Sequence, residues 1–348
     1  MMLRFRTLAA MFVTVALAFS LQAQNAANGK LRIYFIDVEG GQSTLFVTPA
    51  GKSLLIDTGW PDNNFRDADR IAGAAKSAGL SRIDSVLITH FHEDHVGGVP
   101  QLVQRIPVGR FFVHGPNREL DHGATEEGYA AFQKVLATTK AKEIVAKPGD
   151  HLPIEGLDVT VISSDGKLIQ KPLAGAGEPN PYCKQTEVRP ADQTENAYSL
   201  GVLIRFGDMK ILDLGDLTWD KERLLMCPDN RLGKVDLFVV SHHGWFHSSS
   251  PALVDAIHPT VAIMDNGEKK GGSIPVLDTV RHAPGIEALW QLHYSDEGGA
   301  THNTSGEYIA NLDGPDAGHD IEVTAGRDGS FTVRNGRTGS EKHYAAGK

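Results

Sequence analysis

The segment IDSVLIT runs directly into HFHEDHVGG, so His90, His92, Asp94 and His95 fall within six positions of one another. This junction constrains the fold more than any other feature of the chain. The apolar run before it reads as a buried strand, and behind it Val96, Val99, Leu102, Val103 and Ile106 recur at helical spacing until Pro107 ends the run. The cluster therefore sits where a strand hands over to a helix. Loops held by a rigid scaffold at such places are where chemistry is usually found.

Neutral imidazole and carboxylate are ordinary nitrogen and oxygen ligands for zinc. One tight loop can aim His90 and His92 at a first ion, and Asp94 and His95 at a second. Two ions roughly 3.5–4 Å apart can share and deprotonate a water. Gly97 and Gly98 suit a sharp entry into the helix, and Glu93 reads as solvent-facing. Two ions need more ligands than one loop provides. LDLGD ends another apolar strand at Asp216, a carboxylate suited to bridging. VVSHHG ends a third at His242 and His243. One of that pair completes the second ion, while the other contacts substrate or donates a proton. Asp94 and His243 are thus the candidate catalytic groups within the metal set His90, His92, Asp94, His95, Asp216, His242 and His243. The chain has only two cysteines, Cys183 and Cys227, in no CxxC pattern, so any metal is held by His, Asp or Glu.

Around these motifs lie many short strand-like runs, among them LRIYFIDV, STLFVTP, KSLLIDTG, GRFFVH, LDVTVIS, YSLGVLIRF, HPTVAIMD and EALWQLHY. Helices are expected over Asp67 to Leu80 and after Ser250, an N-cap followed by Pro251. Strands interleaved with helices imply mixed sheets covered by helices on both outer faces. Ser164 to Thr194, rich in Pro and Gly, reads as a long surface insertion. IEVTAGRDGSFTVRNG reads as a hairpin. The basic start MMLRFR, a short apolar run and a small polar exit form a signal-peptide pattern, with cleavage expected near Ala23. The expected organisation is a leader over 1–24, a hydrolase domain over 25–300 and a β-rich extension over 301–348. Export to the periplasm or medium follows, with no stable membrane anchor. An oxidising compartment would allow a Cys183–Cys227 disulfide, although sequence does not place the two together. The formal net charge of -9 excludes general attraction to phosphate backbones, so no binding of long duplex DNA is expected.

LLIDTG, THFHEDHVGG, LDLGD and SHHG, in that order, resemble the metallo-β-lactamase superfamily over about Leu31 to Asp265. FIDVEGGQST, ENAYSLGVLIRFGDMKILDLGDL and SHHGWFHSSSPALVDAIHP resemble its branch containing the hydrolase domain of the DNA-uptake channel ComEC. The resemblance implies an αββα sandwich with metals at one edge of two mixed sheets. It also implies two divalent ions, with zinc the first choice and manganese or iron the alternatives. Where the wider superfamily carries a histidine completing the first ion, VISSDG has none. Asn196, or Glu195 beside it, stands in the corresponding region, with His151 a weaker substitute. Asp57 of LLIDTG is expected to brace the metal loop by hydrogen bonds, and Asp37 to act similarly. Trp245 and Phe246 are candidates for an apolar wall beside substrate. His247, His293 and His302 are read as surface residues near the C-terminal portion. The function expected is an exported metal-dependent hydrolase acting on a small-molecule or short oligonucleotide ester, first a phosphodiester. A lactone, thioester or β-lactam is the alternative, and a non-catalytic binding protein on the same fold is the second.

Overall fold

The computed structural model describes residues 29–312 and 317–347. The leader expected over 1–24 lies outside the described residues. The first sheet takes β1 (Leu31–Phe35), β2 (Thr44–Val47), β3 (Ser53–Ile56), β4 (Ser85–Leu87), β5 (Arg110–Val113) and β6 (Lys142–Val145). It is extended by β16 (Ile321–Ala325), β17 (Phe331–Asn335) and β18 (Glu341–Tyr344), giving the order β18-β17-β16-β1-β2-β3-β4-β5-β6. The second sheet contains β7 (His151–Leu152), β8 (Asp158–Ser164), β9 (Lys167–Leu168), β10 (Gly201–Phe206), β11 (Met209–Asp213), β12 (Leu237–Val239), β13 (Val261–Met264), β14 (Ala288–His293) and β15 (Ile309–Asn311). Its order is β15-β14-β13-β12-β11-β10-β8-β7, with β9 beside β8. Strand β15 falls after the boundary expected at residue 300.

Side-chain alternation builds the layers. Ile33 and Phe35 of β1, with Leu237 and Val239 of β12, point into a core between the two sheets that also holds Phe46, Phe112, Ile204 and Trp290. Their neighbours turn outward. Tyr34 and Ile36 join Ile71, Leu102 and Phe132 under the helices of the first sheet. Phe238 and Val240 join Leu225, Leu253 and Leu277 under the helices of the second. Strands buried on both faces need apolar residues at nearly every position, which is why VLI and LFVV read as unbroken apolar runs. The result is the αββα sandwich of two mixed sheets.

The C-terminal strands are integral to the first sheet. β16 pairs antiparallel with β1 from Leu31 opposite Ala325 to Phe35 opposite Ile321. Tyr344 stacks on Phe331 and accepts a 2.9 Å hydrogen bond from Trp290 Nε1, which joins the sheets. The 164–194 insertion is pinned to the body of the protein. Asn180 is buried and donates to Met226 O and Ala252 O, and Cys183 is disulfide-bonded to Cys227. The single helix expected behind the metal-like loop is two, Glu93–Val96 and Val99–Arg105, because Gly97 and Gly98 lie between them. Ser250 occupies the N-cap of helix Pro251–Ile257 without a side-chain cap, and the buried carboxylate of Glu222 accepts Ser249 N and Ser250 N there instead.

β3, β4 and β5 are parallel, as are β11 to β15. Their C-terminal ends face one edge of the sandwich. Asp57 follows β3, His90 follows β4, Asp216 follows β11, and His242 and Asp265 follow β12 and β13. Ligands of open α/β sheets gather outside such strand ends.

Candidate metal centre

Asp57 is the anchor of the metal-bearing loop. It is fully buried and accepts hydrogen bonds from Thr89 N (2.8 Å) and Thr89 Oγ1 (2.6 Å). Its Oδ2 also accepts from His95 Nδ1 at 2.7 Å. Since the Thr89 hydroxyl donates to Asp57, it is left to accept from His90 Nδ1 at 3.0 Å. One carboxylate thereby sets the orientation of two imidazoles. Gly215 lets the LGD turn approach this loop: its φ is +56, and a Cβ there would lie 2.7 Å from Thr89 Cβ.

His92, His90, Asp216 and His242 are successive neighbours along a first position. His90 Nε2 faces His92 Nδ1 at 3.0 Å, and Asp216 Oδ2 lies 3.8 Å from His90 Nε2 and 3.3 Å from His242 Nε2. His92 donates its outer Nε2–H to Glu119 Oε2 at 2.8 Å. His242 Nδ1 faces Ser248 Oγ at 3.3 Å. Asn196 Nδ2 lies 3.4 Å from His242 Nε2, with Asn196 Oδ1 buried and unbonded.

Asp94, His95, Asp216 and His243 form the second position, each offering a donor atom within 4.8 Å of the others. His95 Nε2 lies 3.2 Å from Asp94 Oδ2, 3.3 Å from Asp216 Oδ2 and 3.2 Å from His243 Nε2. His243 Nδ1 faces Asp265 Oδ1 at 3.5 Å. Both rings of the His242–His243 pair therefore face the cluster, one at each position, and neither is left over as a separate acid. The backbone makes this possible. Both residues are left-handed, with φ of 57 and 53. Such conformations cost on the order of 1–3 kcal/mol each and collect at functional sites.

The arrangement tests whether the residues fit metal ions. At His90, His92 and His95 the outer ring nitrogen donates to a hydroxyl or carboxylate, which leaves the inner nitrogen as a lone-pair donor. Partners on the far nitrogen are the usual surroundings of metal-bound histidine. Inner nitrogens 3.0 and 3.2 Å apart cannot both carry a proton on their facing sides. Bare, they repel, and a shared cation removes that repulsion. Asp216 Oδ1 is likewise buried without a hydrogen-bond partner. Burial, reinforced by His95, holds His90 well below the usual imidazole range, and burial brings His242 to about 4, whereas against burial the carboxylates Asp216, Asp94 and Asp57 raise His95 well above that range and Asp216 and Asp265 raise His243 to about 9. Burial would raise Asp216, but His242, His95 and His243 hold it well below the usual carboxylate range. The buried donor set of Asp94, His95, Asp216 and His243 fits a divalent ion.

Other sequence-based expectations move. Glu195 turns away from the first position: it pairs with His114 Nε2 at 2.7 Å and accepts Arg118 N at 2.7 Å. His151 is exposed and pairs with Asp158 instead. Asp37 does not brace the metal loop. It binds His293 Nε2 at 2.7 Å and Glu39 N at 2.9 Å, so His293 is buried rather than on the surface. His302 pairs with Asp278, and His247 stacks on Trp245, with ring centroids 6.0 Å apart. Trp245 and Phe246 are exposed, and Trp245 lies 5.7 Å from the His242 ring. Sequence reasoning missed Glu119, Thr89, Ser248, Asp265 and Lys270, whose ammonium contacts Asp94 Oδ2. Thr89, Ser248 and Asp265 lie within quoted motifs or at a strand end, but no local pattern marks Glu119 or Lys270.

The superfamily description "metallo-beta-lactamase superfamily" matches residues 37–177. The chain is similar to ComE operon protein 3 of Bacillus subtilis, 25% identical over 251 residues that cover 67% of this chain and 28% of that protein. It thus spans under a third of that relative's length. Among solved structures it is similar to the metallo-beta-lactamase fold protein YhfI of Bacillus subtilis, with 12% identity and a TM-score of 0.45, covering 75% of this chain and 95% of that one. It is also similar to a diphosphatase of the PhnP family, with 15% identity and a TM-score of 0.39, covering 75% and 94%. No helix among the described residues is long and apolar enough to cross a membrane.

Proposed function

We propose, from the match to the metallo-beta-lactamase superfamily over residues 37–177 and the geometry of the site, that the chain is an exported, metal-dependent hydrolase of ester bonds, first of small phosphodiesters. The observation that carries the reading is that four imidazoles, His90, His95, His242 and His243, turn a ring nitrogen toward the buried Asp216 carboxylate, with His92 beside His90. When bound, divalent ions supply Lewis-acid polarisation of a substrate oxygen and an activated water. His90, His92 and His242 would hold one ion, Asp94, His95 and His243 the other, and Asp216 both. Zinc suits the imidazole-rich set, with manganese or iron the alternatives.

Three features favour a phosphodiester. Asn196 sets its amide Nδ2 beside His242 at the first position, where it would donate to a phosphodiester oxygen. A phosphodiester can span both positions with its own oxygens and depends less on one firmly held ion. Its negative charge also meets the Lys270 ammonium at the rim, while Trp245 and Phe246 offer an apolar shelf beside the opening. The net charge of -9 favours short substrates over long duplex DNA. Export is supported by the Cys183–Cys227 disulfide, a bond that persists in oxidising compartments.

The test is kcat/KM for bis-p-nitrophenyl phosphate and for a chromogenic cephalosporin, each with zinc and with manganese. The reading expects the phosphodiester to be faster with both metals. A faster cephalosporin with either would reverse the substrate assignment.

A further inference from the structure

The loop after β13 carries a cation into the second position. Lys270 Nζ contacts Asp94 Oδ2. The same oxygen lies 3.2 Å from His95 Nε2 and 3.1 Å from His243 Nε2. Nζ also donates to Gly40 O at 2.9 Å and sits 4.9 Å from the centroid of the Trp60 ring. A carboxylate, a carbonyl and an aromatic face together make a cradle for an ammonium.

This placement is built into the backbone. Gly267 N donates to Lys270 O, Gly272 N to His243 O and Ser273 N to Gly244 O, each at 2.9 Å. The first closes the loop on itself, and the other two clamp it to the His242–His243 turn. Gly271 has a φ of +75, and a Cβ there would collide with the His243 backbone. On the opposite side, a Cβ on Gly40 would lie 2.8 Å from Gly267 N and 3.1 Å from Lys270 Cβ. The lysine side chain is only 24% exposed, so it is not a free surface group.

We propose that Lys270 is a resident counter-cation of the second position, so that an incoming ion competes with it for Asp94 and the two positions fill in order. This rests on the metal-centre reading above and adds a sequence to it. A divalent ion at the second position would take Asp94 Oδ2 as a ligand and so would lie close to the ammonium. Like charges that close repel strongly even when the effective dielectric is high. Lys270 then swings toward solvent through its exposed side, at a cost the second ion bears. His90, His92 and His242 are met instead by Thr89, Glu119, Ser248 and Asn196, none of them cationic. The first position therefore fills without this competition.

The experiment is calorimetric titration of chelator-stripped protein with Zn2+ and, separately, Mn2+, for the wild type, Lys270→Met and Lys270→Arg. Wild type should show two steps, the second weaker by about tenfold or more. Lys270→Met should tighten the second step by about tenfold or more and leave the first in place, while Lys270→Arg behaves like wild type. Lys270→Gln, which retains a donor for Gly40 O, replaces the Met variant if circular dichroism shows that variant to be unfolded. A second step that is unchanged or weakened when the charge is removed overturns the inference and leaves the metal centre standing. Absence of binding in every protein overturns the metal centre, and the inference with it.

Discussion

His92 is oriented through the atom that faces away from the cluster. Its Nε2–H is held by Glu119, whose Oε2 also accepts Glu195 N at 3.0 Å. Loss of such an outer partner typically costs 10–100-fold in metal affinity or activity. Glu119→Ala should therefore weaken metal binding and lower kcat/KM by roughly 10–100-fold while the fold is kept. Metal titration beside near-ultraviolet circular dichroism checks this, and unchanged affinity would show that His92 needs no such support. The groups that face the cluster were legible because each ends an apolar run: His90 and its neighbours, Asp216, and the His242–His243 pair. Glu119 and Lys270 were not, because each reaches the site from a distant stretch with no repeating pattern around it, and Asp265, although it ends the run HPTVAIMD, has no histidine beside it to mark it. Asn196 came from family resemblance alone, and the structure sets its amide beside His242.

Helix Trp219–Met226 meets the start of helix Pro251–Ile257 through Glu222, a fully buried carboxyl that burial pushes from 4.5 up to about 7. Between those values the folded chain keeps a proton that the unfolded chain has lost. Glu222's contribution to stability therefore falls as pH rises through this window, by roughly 3 kcal/mol, and is flat on either side. Glu222→Gln removes the titration. The stability of wild type minus variant should decline between about pH 4.5 and 7 in denaturant titrations, because other ionisations cancel in the difference. Parallel curves across that range would contradict the assignment. At this scale the strands were more legible than the helices. Parallel strands covered on both faces stand out as unbroken apolar runs. Helix Gly123–Thr138 buries little besides Thr125, Phe132 and Val135, so its apolar stripe is too narrow to read. The two-residue strands β7 and β9 owe their existence to pairing with β8, which no local propensity encodes.

Across the whole molecule, two sheets drawn from distant parts of the sequence bring strand ends to one edge, and the cluster exists only where they meet. His95 and His243 are 148 positions apart, yet their Nε2 atoms face each other at 3.2 Å. Alternating apolar faces made the layered architecture readable, but sequence could not give the order of strands. The pairing of β1 with β16 across nearly the full chain is a product of tertiary packing alone. The central claim is that this edge is a metal centre driving hydrolysis. Its most direct test is elemental analysis of chelator-stripped protein after reconstitution with zinc or manganese, with bis-p-nitrophenyl phosphate hydrolysis measured on the same samples. The account predicts at least one retained ion per chain and turnover that rises with occupancy. Protein that retains no ion, or hydrolyses the ester equally well after stripping, would contradict it.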